Sequence, residues 1–392
     1  MKYFSNLNYF LALFSLVFLL QACSKVDDDE DFSDDVVGEP VLLTGVQDTP
    51  LILEDIFQNP NTPDYILDGN WRLEAPVEVR PGVRILVKAN AVININASGS
   101  FKAEGTEDAP IYIEGEQNSK GFWRHISVGS NSLNNVLDYC IISNGGGGNT
   151  LASGNGTIRI ESNSQVAITN TTIRQSDRYG IVASSGQAIA ISAFVNNTIH
   201  DCAQYPVSLY LNQIGEIDET SAYFDNGFNL IEVRSQTIEG NLSVQKASIP
   251  YLINGNSTIN AFLEIKEGTT INMGPQAKLT VGNAGSLGMS GTASNRVTIT
   301  GNENVPGYWD YIYYNGSNSN NNYIKYTDIS YGGGSTLNCC NGMISLNNSL
   351  LNLEESSLSN SARFGLKIRG SSTFNDLGGN TFANNASGDI DE

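Results

Sequence analysis

Histidine is nearly absent from this 392-residue chain, which holds only His125 and His200. Two imidazoles leave almost no material for a Ser-His-Asp triad and too little for a multi-histidine zinc site. Cations are scarce as well: 21 Lys and Arg stand against 41 Asp and Glu, for a net charge of −20. A surface this acidic repels a phosphate backbone, so nucleic acid is excluded as a partner. Polyanionic glycans are disfavoured too, unless divalent cations bridge the like charges. No stretch keeps a helical apolar period. Beyond Cys23, the cysteines (Cys140, Cys202, Cys339 and Cys340) do not recur where the chain repeats itself, so no repeated disulfide or metal frame exists. The adjacent Cys339 and Cys340 are expected as small core residues rather than as an exposed disulfide.

What the chain does have is repetition. Tyr65-Ile66-Leu67-Asp68-Gly69-Asn70 returns as Tyr251-Leu252-Ile253-Asn254-Gly255-Asn256, 186 residues later. At the same offset, Gly99-Ser100-Phe101 returns as Gly285-Ser286-Leu287 and Gly121-Phe122-Trp123 as Gly307-Tyr308-Trp309. Repetition at this density marks an architecture of stacked units. Between the matches lie short alternating runs such as Ile85-Leu86-Val87 and Thr157-Ile158-Arg159-Ile160, cut by Gly and Asn. Those are strand signatures.

A smaller period sits inside each half. Ile158, Ile181 and Val207 head comparable strands, and so do Ile344 and Leu366. About two dozen residues per turn suits a parallel β-solenoid, whose core grows along one dimension. Asn tolerates the tight corners such a coil needs, and Asn197-Thr198-Ile199 and Asn380-Thr381-Phe382 read as corner-then-strand joints. Inward Ile, Val, Leu and Phe then stack rung on rung, each worth roughly 1.5–3 kcal/mol. The division expected is a first half over residues 65–250 and a second over 251–392. Residues 36–64 are expected to cap the N-terminal end and the polar residues 387–392 to blunt the other.

The chain opens with Lys2 and an apolar stretch over residues 10–20, too short to span a bilayer. That stretch ends in Leu20-Gln21-Ala22-Cys23, which resembles the lipobox of bacterial lipoproteins. The resemblance implies removal of residues 1–22, lipidation of Cys23 and a stable membrane anchor, each buried methylene adding about 0.8 kcal/mol. Residues 23–35 form an acidic tether around Asp27-Asp28-Asp29-Glu30-Asp31. It is similar to the signal that sends Bacteroidota lipoproteins to the outer face of the outer membrane. Farther on, Val79-Arg80-Pro81-Gly82-Val83, Gly105-Thr106-Glu107-Asp108-Ala109-Pro110-Ile111 and Gly121-Phe122-Trp123 resemble the right-handed parallel β-helix proteins of the pectin-lyase-like class. In particular they resemble uncharacterised Bacteroidota surface members of that class. The resemblance covers about residues 65–390 and implies an all-β, right-handed parallel β-helix with the internal duplication of about 186 residues.

Many members of that class cleave polysaccharides, so catalysis is the first test. Arg178 and Arg363 occupy matching places, and a residue present once per copy reads as a turn contact, because one active site is enough. Hydrolysis needs two carboxylates at a set spacing; Asp138, Glu161, Asp177 and Asp201 could supply such a pair in one half, yet only Asp328 echoes one of them in the other, a weak signal. Gly145 to Gly148 and Gly332 to Gly334 lack the phosphate-binding Lys and the calcium-repeat spacing, so they read as tight loops. No cofactor is expected, and Ca²⁺ held by Asp and Asn loops finds no support.

The remaining constellation is aromatic. Alternation through Trp309-Asp310-Tyr311-Ile312-Tyr313-Tyr314 puts Ile312 and Tyr314 inward and Trp309, Tyr311 and Tyr313 outward. The first half offers Trp123 and His125 in the same way. Outward rings suit the apolar faces of sugars, while the bland reading has them covering a loop. The function expected is a lipid-anchored surface protein binding or scaffolding a glycan without catalysis. The alternatives are a polysaccharide lyase or glycosidase and a structural adhesin.

Overall fold

Glycine starts the coil. In the strand Tyr65–Leu73, Gly69 adopts a φ of 73° and bends the chain, so that one strand serves two sides of a prism. Residues 65–67 pair with Arg84–Val87, while residues 70–73 pair with Val92–Ile95. The computed structural model describes residues 38–149 and 154–392. Residues 1–22, Cys23 and the acidic tether lie outside the described residues. The unit from Pro40 to Glu392 is a parallel β-helix: its strands are short, its pairings parallel, and along most of its length each third strand returns to the same ladder. Among the described residues the sole helical element is a 3₁₀ turn, Leu211–Gln213.

Three ladders build the first part. The first runs from residues 65–67 through Ile111–Gly115 and Thr172–Arg174 to Ala222–Phe224. The second begins at residues 70–73 and continues without a break to Thr381–Ala383. The third is six-stranded, from Leu51–Leu53 to Ile189–Val195. Midway, the first and third end. A seven-stranded fourth ladder opens at Thr237–Ile238, next to the 3₁₀ turn, and a six-stranded fifth at Leu242–Val244. The expected rung heads are real partners: Ile158 pairs with Ile181, Ile181 with Val207, and Ile344 with Leu366.

The matched tracts do not share a ladder. Tyr65 belongs to the first, whereas Tyr251 pairs with Ile231 and Ile271 in the second. Likewise Val92 lies in the second ladder and Lys278, 186 residues on, in the fourth. The offset is therefore not a whole number of turns, and residues alike in sequence look out from different sides.

Inward positions form one hydrophobic column from Leu43 to Leu366. Asparagine clamps the corners from inside. The side chain of Asn197 accepts from Thr171 N at 3.1 Å and donates to Ile168 O at 2.9 Å. Asn380 repeats the clamp on Ser356 N and Leu353 O, both at 2.9 Å. Buried backbone groups that no ladder can reach are paired in this way.

The ends of the coil and the cysteines gain detail here. Residues 36–64 are more than a cap, because Val41–Gln47 and Leu51–Leu53 pair into the first rung. Asp64 closes that rung from within, its buried carboxylate accepting from Ile56 N, Phe57 N and Arg84 N at 2.7–2.8 Å. At the other end, Gly388–Asp391 continues the fourth ladder on Phe364–Arg369. Finally, Cys339 and Cys340 are joined by a disulfide, while Cys140 and Cys202 are the buried free thiols. Burial pushes both thiols up, Cys202 to about 12, so neither is a ready nucleophile.

Candidate binding surface

The residues singled out from the sequence do not come together. Trp123 and Trp309 have no exposed surface and belong to the core. Their indole N–H groups donate to Ser143 O at 2.7 Å and to Ser330 O at 2.8 Å. The reason is positional. His125 and Tyr311 are the first residues of their strands, so alternation cannot be extended back to the tryptophans, which sit in the corners. There the glycine loops close over them: the N–H groups of Gly147 and Gly334 bond Trp123 O and Trp309 O at 3.0 Å. A Cβ on Gly147 or Gly334 would lie 2.0 or 2.4 Å from the carbonyl oxygen of Gly121 or Gly307. These loops need glycine for close approach, as their sequence implied.

Tyr311 is also largely covered, at 8% exposure, although Ile312 and Tyr314 do point inward as expected. Its ring meets Tyr313 edge-on at 6.0 Å and lies 5.8 Å from the Lys278 amine, which pairs with Asp310 at 3.2 Å. Tyr313 is half-buried, its hydroxyl donating to Asn315 Oδ1 at 3.3 Å. His125 is buried on the second ladder, and Nδ1 has no protein partner. Burial first, then the neighbouring Arg124 and Arg159, lowers its pKa to about 4, against a smaller pull from Glu161. The outward aromatic row drawn from alternation is therefore not formed by these five residues.

A different row exists. At the corner between the first and second ladders, Tyr179 and Tyr205 stack at 6.3 Å with an interplanar angle of 12°. Tyr205 and Phe228 stack at 4.8 Å and 24°. On the adjoining edge of the first ladder, His200 and Phe224 lie parallel at 4.8 Å and 10°. Phe228 keeps 52% of its surface exposed and Phe224 43%. The Arg234 guanidinium lies 5.5 Å from the Tyr179 ring and 5.8 Å from that of Tyr210. Partial burial, followed by the nearby Glu232 carboxylate, raises both the Tyr179 and the Tyr205 phenol above the usual tyrosine range. The signal for this row was the turn period itself, since the three rings recur once per turn. Their corner segments vary in length, which hides the recurrence from any strand pattern.

No match to this chain was found among protein-family models, curated proteins or solved structures.

Four carboxylates of this half are already paired. Glu161 takes Arg159 and the Ser127 hydroxyl, the latter at 3.2 Å. Glu232 takes the Ser208 hydroxyl and, at 3.5 Å, Arg234. Asp138 accepts from Thr169 and Asn170, and Asp201 pairs with Lys120 at 2.7 Å. The matched Arg178 and Arg363 are turn residues: their backbone N–H groups donate to Ser176 and Ser361, whose hydroxyls close the turns on Tyr179 O and Phe364 O. Among the described residues no three His, Cys, Asp or Glu side chains converge as metal ligands. What the corner offers a ligand is apolar ring face beside fixed polar groups, the chemistry that sugar rings use.

Proposed function

We propose that this chain is a lipid-anchored glycan-binding protein of the Bacteroidota cell surface, acting without catalysis. The observation carrying the glycan reading is the stack of Tyr179, Tyr205 and Phe228, which leaves one aromatic face open at a solvent corner next to Arg234. Stacking on such rings needs no charge on the ligand, which suits a protein of net charge −20. The anchor and the surface address rest on Leu20-Gln21-Ala22-Cys23 and on the acidic run behind it.

Two measurements check the reading. Affinity electrophoresis of the full chain through gels containing neutral polysaccharides should show retardation. Tyr205→Ala combined with Phe228→Ala should weaken it about tenfold or more, base–ring stacking elsewhere being worth a comparable ~1–3 kcal/mol per ring. Retardation by no polysaccharide, or equal retardation of the double variant, removes the proposal. Separately, Cys23→Ala should abolish labelling with a radioactive fatty acid and move the protein out of the membrane fraction. Unchanged labelling would show that the lipid is attached elsewhere.

A further inference from the structure

Two hollows on the outer face of the first ladder share Glu114. One, about 220 Å³, is walled by Pro60, Pro63, Arg84 and Tyr112. The other, about 280 Å³, is walled by Glu116, Asn144, Arg174 and Gln175. Strand register explains why they abut. Leu86, Glu114, Ser143, Arg174, His200 and Phe224 are successive partners and fall into one outward column parallel to the solenoid axis. At ~4.8 Å per rung the column is roughly 24 Å long.

Its chemistry is graded along that length. Glu114 accepts from the Ser143 hydroxyl at 3.1 Å and from Arg174 at 3.0 Å, with Arg84 at 3.9 Å. Arg84 in turn lies over the Tyr112 ring, its guanidinium carbon 3.8 Å from the centroid. The Asn144 amide donates to Asn118 and Gln175, at 3.2 and 3.1 Å, and Arg174 Nε is buried with no protein partner. Leu86 ends the column on one side, and the exposed His200–Phe224 stack ends it on the other. Donors and acceptors therefore alternate in the middle, between apolar ends.

The fold does not demand these charges. Where corners and core need a residue, the chain repeats it: Trp123 and Trp309, Gly99 and Gly285. At the same offset Glu114 and Arg174 are answered by Thr300 and Asn360, and the counterpart of Glu114 makes only a hydroxyl contact to Ser330 at 2.9 Å. An unrepeated polar column on a repeated frame points to recognition.

We infer that this column is a groove for a linear, neutral glycan lying along the solenoid axis. It deepens the glycan reading above and rests on it. Neutrality follows from the overall charge of −20, against which the cations of the groove, Arg84, Arg174 and Lys88, exceed its carboxylates, Glu114 and Glu116, by only one. A polyanionic chain with a carboxylate on each ring would find one surplus cation for several charges, whereas a hydroxyl both donates to a carboxylate and accepts from a guanidinium or amide. Sugar rings advancing by about one rung each would place one ring on Phe224 and others on Arg174 and Glu114, with Ser143 buried between them and holding Glu114.

The test is calorimetry on the full chain with cello-, manno-, xylo- and laminari-oligosaccharides, from disaccharide to hexasaccharide, plus hexagalacturonate. For at least one neutral series, affinity should climb with each added ring. Glu114→Gln and Arg174→Ala should each cut hexasaccharide affinity about tenfold. Disaccharide binding at the Tyr205 and Phe228 corner and the melting temperature should stay unchanged. Gln175→Ala, at the groove wall, should give a smaller loss in the same direction. Binding that is independent of length and untouched by these variants, yet lost with Tyr205→Ala, overturns the groove and leaves the glycan reading intact. Tighter binding of hexagalacturonate overturns the neutral assignment. Failure of the unaltered chain to bind any of them overturns both.

Discussion

Replacing Gly285 by alanine is expected to disrupt the coil locally and lower stability by about 4 kcal/mol or more. A Cβ there would stand 1.9 Å from the carbonyl oxygen of Ile259 and 2.7 Å from its carbon. Those are backbone atoms of the rung below, which cannot swing aside as a side chain would. The rungs are held at one hydrogen-bonded spacing, and the hydrogen bonds at this corner, Gly285 N to Gly282 O and Ser286 N to Ala261 O, must stretch together. Gly99 meets the carbonyl of Leu73 in the same way, at 2.3 Å, so Gly99→Ala should behave alike. Gly240 has nothing within 4 Å of a would-be Cβ, and Gly240→Ala is the control expected to melt with the parent. Thermal unfolding followed by circular dichroism decides the matter. Coincident melting curves for Gly285→Ala and Gly240→Ala would mean that the corners are not packed as described.

The second large effect is acid sensitivity at His125. Its imidazole is buried among Arg124, Arg159 and Glu161, and its pKa falls from 6.5 to about 4. The sign follows from linkage. The unfolded chain takes up the proton at a higher pH than the folded one, so acid favours unfolding. The contribution of the neutral imidazole is complete above pH 6.5 and is lost as pH falls towards 4, where the loss levels off. The gap corresponds to about 3 kcal/mol. His200 is shifted in the same direction by partial burial and by Arg174, and it adds a smaller loss over the same side of neutrality. Denaturant midpoints taken from pH 7.5 to pH 4 for the parent and for His125→Gln should diverge in shape, the variant showing the flatter curve. Carboxylates contribute equally to both proteins, so the difference belongs to one residue. Parallel curves would show that His125 is solvated or protonated in the fold.

How much of this was legible beforehand depended on whether a residue lay inside a strand. Ile158, Ile181 and Val207 could be read as stacked partners because inward positions repeat a residue type once per turn. Ile312 and Tyr314 could be read as inward because alternation holds between the ends of Tyr311–Asn315. Trp309 lies two residues outside that strand, and the same rule turned it the wrong way. Tyr179, Tyr205 and Phe228 escaped notice for a related reason. They sit where corner segments set the spacing, and no alternation links them. The sequence match also concealed a rotation: Val92 and Lys278 look equivalent in composition of their surroundings, yet they belong to ladders on different sides. Nothing in residue type records how many strands separate two similar passages. The Cys339–Cys340 bond was misjudged because small, isolated cysteines more often fill space than pair with an immediate neighbour.

That rotation has a bearing on how the two similar passages can differ. A neighbour approaching from one direction meets only one of them, so their solvent-facing residues answer to separate audiences. Their interiors have no such freedom, because each must fit the rung above and the rung below whichever way it faces. The likeness therefore lies in the glycines, tryptophans and stacked aliphatics, while Glu114 and Arg174 have no charged counterpart at Thr300 and Asn360. A winding out of step with its own repeat lets one coil carry two dissimilar exteriors over a single, conservative spine.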